Sequence, residues 1–191
     1  MARKILFLTG TRADFGKIKP LIKAVDAQKD LEAHIFVTGM HLYAKYGSTG
    51  DEIIKSGFKR VYNFVNQKNS DPMDAILANT ILGLSNYVML NKPDMMVVHG
   101  DRVEALAGAI VGALNNIIVS HIEGGEISGT IDESIRHAVS KLSHLHFVAN
   151  EKAKKRLVQM GEAPSNIYII GSPDIDLMSS PDLVSIEEAK R

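Results

Sequence analysis

The 191-residue sequence predicts an α/β fold, with a parallel β-sheet and helices on both of its faces. Short apolar runs alternate with longer segments of helical periodicity along the chain, a pattern typical of strands joined by helical crossovers. The apolar runs are continuous, which indicates strands buried on both faces. These observations predict a three-layer, Rossmann-like sheet whose crossovers are right-handed.

The first elements follow from a short apolar run and a one-sided helical pattern. A strand at residues 5–8 stops at Gly10, and a helix follows at about residues 14–28. The apolar residues of this helix fall on one face, as expected for a helix packed on a sheet: Ile18, Leu21, Ile22 and Val25. Two further strands are predicted, at residues 34–38 and, from a weaker pattern, at 61–64.

A long helix is predicted at residues 72–90, with Asp71 as its N-cap and Pro72 in its first turn. Strands and helices then alternate to the end of the pattern. The strands are predicted at residues 95–98, 117–119, 146–148 and 167–170, and the helices at residues 103–114, 131–142 and 151–160.

The composition argues against several classes of protein. Lys and Arg together number 22, as do Asp and Glu, so no basic patch for nucleic acid is indicated. The absence of cysteine excludes disulfides, thiolate nucleophiles and cysteine-based zinc sites. The first apolar run is too short for a signal peptide, and no stretch is expected to span a membrane. We therefore expect a cytoplasmic protein without a membrane partner.

Polar residues follow the predicted strands, where an open α/β sheet binds its ligands. The segment from Thr9 to Lys17 places Arg12 and Lys17 around the start of a helix, an arrangement that suits an anion such as phosphate. A glycine turn with two solvated basic residues is the alternative. The spacing matches neither a P-loop nor a G-x-G-x-x-G motif, so no NAD site is predicted.

Two consecutive strand ends carry a similar pattern, His99-Gly100-Asp101-Arg102 and His121-Ile122-Glu123. Residues two apart in extended chain face the same side, so each segment is predicted to point an imidazole and a carboxylate into one crevice. Two carboxylates in a partly dry cleft can differ in pKa and act as acid and base. The alternatives are that these residues cap helices and turns, or that they bind a divalent metal, for which no tight ligand spacing is present.

A glycine-rich stretch leads into a predicted helix start at residues 130–137. Thr130 and Glu133 match a capping box, and Asp132 and Arg136 are spaced to form an ion pair. Asp132 also lies at the helix start, where a substrate could reach it. The remaining histidines of this region are expected to be packed or solvated: His137, His144 and His146.

Together, these segments resemble the hydrolysing UDP-N-acetylglucosamine 2-epimerases of sialic-acid biosynthesis. The resemblance covers essentially the whole chain and rests on five ordered motifs. They are Thr11-Arg12-Ala13-Asp14, His99-Gly100-Asp101-Arg102, His121-Ile122-Glu123-Gly124-Gly125-Glu126, the run from Ser128 to His137, and Gly171-Ser172-Pro173.

The resemblance implies one half of a glycosyltransferase-B-type architecture, in which two Rossmann-like domains hold the nucleotide sugar between them. Residues 1–171 would form the amino-terminal domain, and residues 172–191 the linker and the start of a second domain. It also implies a homo-oligomer that needs neither NAD nor a catalytic metal. The implied reaction eliminates UDP to form 2-acetamidoglucal, which is then hydrated to N-acetylmannosamine.

The resemblance also implies roles for individual residues of this chain. Acid–base chemistry is expected of three carboxylates, Asp101, Glu123 and Asp132. Contacts to UDP are expected of three cations, Arg12, Lys17 and Arg102. Two histidines, His99 and His121, are expected to bind substrate or to orient the carboxylates. The carboxylate that removes the C2 proton is left open, and so is any modification of the sugar beyond N-acetylation. A non-catalytic nucleotide-sugar-binding module and the non-hydrolysing branch are the alternatives.

Overall fold

Seven parallel strands form one sheet in residues 2–43, 49–173 and 175, the part of the chain that the computed structural model describes. The strands are β1 (Arg3–Thr9), β2 (Leu31–Val37), β3 (Val61–Asn63), β4 (Met95–His99), β5 (Ile118–Ile122), β6 (Leu145–Val148) and β7 (Ile167–Ile169). The helices are α1 (Arg12–Asp26), α2 (Gly50–Lys55), α3 (Met73–Asn91), α4 (Val103–Leu114), α5 (Ile131–Lys141) and α6 (Glu151–Gln159).

The strand order, β3-β2-β1-β4-β5-β6-β7, reverses direction between β1 and β4. The chain first builds outward from β1 to β3, then returns to the other side of β1 and builds outward again to β7. Loops that leave β1 and β4 therefore diverge and open a crevice at their carboxyl ends, which is the usual ligand position in this architecture.

Two apolar layers cover the sheet. On one face, Phe7 of β1 and Val97 of β4 pack with Ile18 and Ile22 of α1. On the other face, the core contains side chains of β1, β4, α3, α4 and α5, including Leu8, Val98, Val88, Ala109 and Val139. This arrangement confirms the predicted three-layer, Rossmann-like fold.

All predicted strands and helices occur in the structure, with ends that differ by a few residues. The sequence pattern did not indicate α2 or the 3-10 turn at Gly39–Leu42. In α2, Ile53 is fully buried but Ile54 is 56% exposed. A six-residue helix with so little buried surface carries no periodic signal long enough to detect.

The predicted cap of α3 is wrong. Pro72 occupies the N-cap position and makes no side-chain capping bond. The Asp71 carboxylate instead accepts a hydrogen bond from the backbone N–H of Lys68, at 2.7 Å. Asp71 therefore closes the turn before the helix, a role that competes with capping for the same side chain.

The expectation that no segment could span a membrane also needs correction. Among the described residues, α3 has the length and the mean hydropathy, 1.2, that a membrane span requires. Its Leu84, Tyr87 and Val88 side chains are buried in the core between the sheet and α4. The helix combines this packed face with an exposed apolar face, which explains its high hydropathy.

An open apolar groove of about 630 Å³ lies along the sheet face that carries α1. Phe7, Val97 and Ile122 contribute to its floor, and Leu21 and Ile170 contribute to its sides. The groove runs along the sheet face and reaches Lys17 of α1 and Ile122, the last residue of β5. Most of the predicted linker, residues 172–191, lies outside the described residues.

Candidate functional site

The strand ends at the crevice hold a chain of charged side chains centred on His99, the last residue of β4. Its Nδ1 lies 3.3 Å from Asp14 Oδ1, and its Nε2 lies 2.9 Å from Glu123 Oε2. Lys17 Nζ donates to the same Glu123 oxygen at 2.9 Å. We call Asp14, Lys17, His99 and Glu123 the switch-point cluster, because it joins α1, β4 and the end of β5.

The backbone directs Glu123 into this cluster. Glu123 follows β5 directly and adopts φ +62°, in the left-handed region that non-glycine residues rarely use. Its N–H donates to Phe147 O at 2.9 Å, which ties the turn to β6. Backbone strain of this kind occurs where surrounding structure over-determines it, and it is frequent at functional sites.

The cluster is electrostatically matched, with two carboxylates and two cations. Burial would raise the pKa of Glu123, but hydrogen bonds from His99 and Lys17 outweigh burial and lower it to about 2. Burial would lower the pKa of His99, but its hydrogen bonds to Asp14 and Glu123 raise it above its ordinary value. Glu123 is therefore an ionised carboxylate, and the contacts of His99 with Asp14 and Glu123 favour its imidazolium form.

Asp101 lies on the turn after β4 and pairs with Arg136 of α5. The Arg136 side chain is 13% exposed and that of Asp101 is 26% exposed. The predicted pair between Asp132 and Arg136 is therefore wrong, since the guanidinium turns from its own helix toward the β4 turn. Asp101 and Glu123 emerge from adjacent strands at the same edge of the sheet, each with its own cation.

The expectation that His121 and Glu123 share a crevice is wrong. His121 pairs in register with Val98, and His99 pairs with Ile122, so the two imidazoles lie on opposite faces of the sheet. The turn at Glu123 leaves the extended conformation, which breaks the rule that residues two apart face the same side.

His121 is fully buried. Its Nε2–H donates to Gly100 O at 2.8 Å, and its Nδ1 accepts from the Ser140 hydroxyl at 3.0 Å. Burial lowers the pKa of His121 to about 3, so the ring is neutral. The ring thus joins the turn that carries Asp101 to α5. This geometry supports a role in holding the turn, and a direct contact of His121 with substrate stays a prediction.

The other two predicted cations lie at the rim. Arg12 begins α1, has a side chain that is 75% exposed, and lies 3.4 Å from Glu52. Arg102 is the N-cap residue of α4, and its Nε lies 3.3 Å from Glu104. The positive charge of Arg102 also helps to lower the pKa of Asp14.

The capping box at α5 forms only in part. Thr130 is the N-cap residue but makes no side-chain capping bond, and its hydroxyl donates to Asp132 at 3.2 Å. The Glu133 carboxylate accepts from the backbone N–H groups of Ser128 and Gly129, at 2.9 and 2.7 Å. Asp132 is exposed, one turn from Arg136 on the same helix face. A substrate can therefore reach it, and its catalytic role stays a prediction.

The remaining histidines of this region pack against the protein, as expected. His146 is buried beside Glu162, and His144 Nδ1 accepts from the Val119 N–H at 3.1 Å. Within residues 2–43, 49–173 and 175, no group of three or more His, Asp or Glu side chains is arranged to hold a metal ion.

Asp14 is the member of the cluster that the sequence did not single out. It lies in the first turn of α1, where an acid is favourable for any helix, so its type and position carried no distinct signal. Only its place within the Thr11–Asp14 motif could have drawn attention to it. The structure shows that its side chain turns toward His99, 85 residues away in the chain.

A Rossmann-like domain with ionised carboxylates and cations at its switch point defines a class of α/β proteins suited to bind an anionic, nucleotide-like ligand. The chain belongs to the UDP-N-acetylglucosamine 2-epimerase family, whose model matches residues 23–191. The fold is that of one half of a glycosyltransferase-B-type enzyme.

Two curated relatives illustrate the range of the family. A "UDP-N-acetylglucosamine 2-epimerase" of Neisseria meningitidis serogroup B is 55% identical over 188 residues, which are 98% of this chain and 50% of the relative. A "UDP-N,N'-diacetylbacillosamine 2-epimerase (hydrolyzing)" of Legionella pneumophila is 43% identical over 180 residues, 92% of this chain and 48% of the relative. The chain thus spans about half the length of the curated relatives it matches.

A solved structure gives the same picture. The UDP-GlcNAc 2-epimerase from Neisseria meningitidis bound to UDP-GlcNAc is 25% identical and superposes with a TM-score of 0.81, covering 91% of this chain and 48% of that one. Both the sequence and the structural comparison therefore match this chain to about half the length of its relatives.

Proposed function

We propose that this chain is the amino-terminal domain of a hydrolysing UDP-N-acetylglucosamine 2-epimerase. The enzyme converts UDP-N-acetylglucosamine and water to N-acetylmannosamine and UDP. The observation that carries the proposal is the switch-point cluster, in which a carboxylate held ionised lies beside Lys17 at the carboxyl edge of the sheet. Family membership and the relative bound to UDP-GlcNAc support this choice of substrate.

The reaction needs a base for the C2 proton and positive charge for the departing nucleotide. The base takes the proton, the C2–H electrons form the C1–C2 double bond, and the C1–O electrons leave with UDP. Water then adds across the double bond and regenerates a free sugar. Glu123 suits the role of base because it is ionised, and a positioned carboxylate can accept a proton from a bound substrate.

Lys17 couples the binding of nucleotide to the strength of this base. In the structure its ammonium contacts Glu123, and the diphosphate of a nucleotide sugar competes for the same charge. When Lys17 moves toward the diphosphate, Glu123 loses one of its two cations and its pKa rises. The carboxylate then becomes a better base at the moment when substrate is present.

The other predicted residues complete the proposed site. Asp101 and Asp132 supply further acid–base groups near Arg136, and Arg12 and Arg102 line the rim where a diphosphate can lie. The exposed Arg12 and the half-buried Arg102 are both accessible to an anionic ligand at this rim. The second half of the relatives would close the site from the other side.

The hydrolysing branch is the finer part of the proposal. It is supported by the 43% identical Legionella relative, whose name includes hydrolysis and a diacetylated sugar. The 55% identical Neisseria relative is named as an epimerase without that qualifier. Because the Legionella relative is named for a diacetylated sugar, a UDP-sugar with a second acetamido group is the alternative substrate.

We also propose a cytoplasmic homo-oligomer in which a second copy covers the exposed apolar face of α3 and α4. Leu82, Met89 and Leu90 of α3 and Leu114 of α4 are between 64% and 78% exposed. An exposed apolar surface of this kind on paired helices is more often an interaction site than a surface that stays in contact with solvent.

Product analysis by NMR tests the function. The complete natural protein that contains these residues is incubated with UDP-N-acetylglucosamine and, separately, with UDP-N,N'-diacetylbacillosamine. Release of UDP and free N-acetylmannosamine supports the proposal, and a product that retains UDP assigns the non-hydrolysing branch. Unchanged rates in EDTA exclude the metal alternative. UDP binding without turnover, lost in Arg12→Ala, would identify a non-catalytic binding module.

A further inference from the structure

Asp14 and Glu123 are linked through one imidazole. The His99 ring contacts an Asp14 oxygen at Nδ1 and a Glu123 oxygen at Nε2, at 3.3 and 2.9 Å. An ionised carboxylate only accepts hydrogen bonds, so both ring nitrogens donate. The ring is thereby fixed in orientation and in charge between the two anions.

We infer that Asp14 is a positioning residue for Glu123, which it controls by holding His99 as an imidazolium with its Nε2–H directed at the Glu123 carboxylate. The inference rests on the proposed function, in which Glu123 acts on substrate. Its logic is that of other acid–base sites, where a third group orients the ring that contacts the reacting residue.

The placement of Asp14 fits this role better than a purely helical one. An acid can serve the helix dipole while it stays in solvent, whereas the Asp14 side chain is only 14% exposed and contacts the His99 side chain, which is 6% exposed. The Asp14 backbone N–H donates to the Thr11 hydroxyl at 3.2 Å. The carboxylate is thus carried by a capped, rigid first turn of α1.

The charged groups around the ring account for its protonation. On α1, Asp14 and Lys17 face the cluster, and Arg102 approaches from the loop after β4. Burial would raise the pKa of Asp14, but the hydrogen bond and the charge of His99 lower it, as do Thr11 and Arg102. Loss of the Asp14 charge removes one of the two anions that keep the His99 pKa high.

The direct test is a pH titration of the histidine ring signals by ¹⁵N NMR, carried out on the complete natural protein. Asp14→Asn keeps the shape and an acceptor oxygen but loses the charge. We expect the His99 midpoint to fall by roughly one pH unit or more in this variant. Glu151→Gln, in the exposed first turn of α6, is the matched control and should leave the midpoint unchanged.

Two further readings distinguish positioning from a loss of structure. The buried His121 should remain neutral in every variant, which reports an intact fold. Asp14→Glu, which restores the charge one methylene further out, should recover part of the His99 midpoint. A folded Asp14→Asn variant with an unchanged His99 midpoint would overturn the inference.

Kinetics of the complete natural protein link the titration to catalysis. We expect Asp14→Asn to lower kcat about tenfold or more and to leave KM within about twofold, because the residue acts on Glu123 and not on substrate. A variant in which KM rises about tenfold while kcat is unchanged contradicts the inference. If the wild-type protein does not turn over UDP-N-acetylglucosamine but His99 still titrates as expected, only the proposed function fails.

Discussion

Arg136, in the middle of α5, reaches across to the turn after β4 and donates to Asp101. The two residues are 35 positions apart, and their pairing joins the helix that carries Asp132 to the strand that carries His99. His121 reinforces the same junction, since it bonds to Gly100 beside Asp101 and to Ser140 one turn beyond Arg136. Two of the proposed acid–base groups, Asp101 and Asp132, are therefore carried by elements that these contacts connect.

Removing the Arg136 guanidinium should destabilise this junction. Arg136→Ala leaves the Asp101 carboxylate without its cation in a half-buried position, and we expect a loss of about 1–3 kcal/mol in the free energy of unfolding. Lys141→Ala, on the same helix, removes an ion pair. Because the Lys141 side chain is 52% exposed, we expect this variant to lose less than about 1 kcal/mol in the free energy of unfolding. Urea titration measures both, and equal losses would contradict a special role for Arg136.

Glu123 is the carboxylate whose loss should affect turnover most directly. Glu123→Gln keeps the shape but cannot accept the C2 proton, so kcat should fall by about a hundredfold or more in the complete protein. Glu32→Gln changes an ion-paired carboxylate of β2 at the opposite, amino-terminal edge of the sheet and should leave the rate near that of the wild type. A rate of Glu123→Gln within threefold of the wild type would refute the proposed base.

The buried neutral histidines should make the fold sensitive to acid. Burial lowers the pKa of His121 to about 3 and that of His41 to about 4. Between these values and the ordinary value of 6.5, the unfolded chain binds protons that the folded chain does not, so stability falls as pH falls. Each ring contributes a slope of about 1.4 kcal/mol per pH unit in that range.

Urea titrations between pH 7 and pH 5 measure this slope. NMR signals showing that the His121 ring stays neutral over the same range would confirm that this residue contributes to the slope. Glu123 does not oppose the trend at these pH values. Its pKa is lowered from 4.5 to about 2, so its stabilising contribution is complete above 4.5 and is lost only as pH falls from there toward 2. A stability that rises on acidification from pH 7 to pH 5 would contradict the assignment of His121 and His41.

The glycines after β5 should differ in their tolerance of alanine. Gly125 adopts φ +78°, and a Cβ there would lie 2.5 Å from Ala153 O. Gly129 adopts φ +69° with no atom within 4 Å of the added Cβ. Gly129→Ala should therefore cost only the left-handed conformation, about 1–2 kcal/mol, and Gly125→Ala should cost more because α6 has to shift. Thermal or urea unfolding that ranks the two variants in the reverse order would exclude this reading of the loop.

The proposed interface on α3 and α4 predicts a dependence of assembly on its apolar residues. Leu82→Glu places a charge on the exposed face and should shift the protein to a smaller species in light scattering. Val158→Glu changes a residue of α6 that is 40% exposed and should leave assembly unaffected. A Leu82→Glu variant that assembles like the wild type would place the second copy elsewhere.

The secondary structure could be predicted from the sequence because its signals are local. The continuous apolar run at β1 and the one-sided pattern of α1 each involve only neighbouring residues. The structure confirms both elements, but Leu21 of the predicted buried face is exposed. The cap of α3 was missed because Asp71 can bond in either of two local turns, and only one is realised. The short helix α2 was missed because its buried surface is too small to produce a pattern.

The candidate site was predictable only as a region. Polar residues after β1, β4 and β5 indicated the carboxyl edge of the sheet, since parallel strands bring their carboxyl ends together. The sequence could not show that His99 and His121 lie on opposite faces, because that depends on the register between β4 and β5. It also could not show that Arg136 forms its ion pair with Asp101 and not with Asp132, because Asp101 lies on another element.

The sequence by itself determined the alternation of strands and helices, and with it a parallel sheet whose carboxyl edge carries acids, histidines and cations. These properties follow from the period of apolar residues and from residue type, which are local. Only the tertiary structure decided which charges meet, above all the contact of His99 with both Asp14 and Glu123. The physical reason is that strand register and the left-handed turn at Glu123 arise from packing between distant segments, which no local pattern encodes.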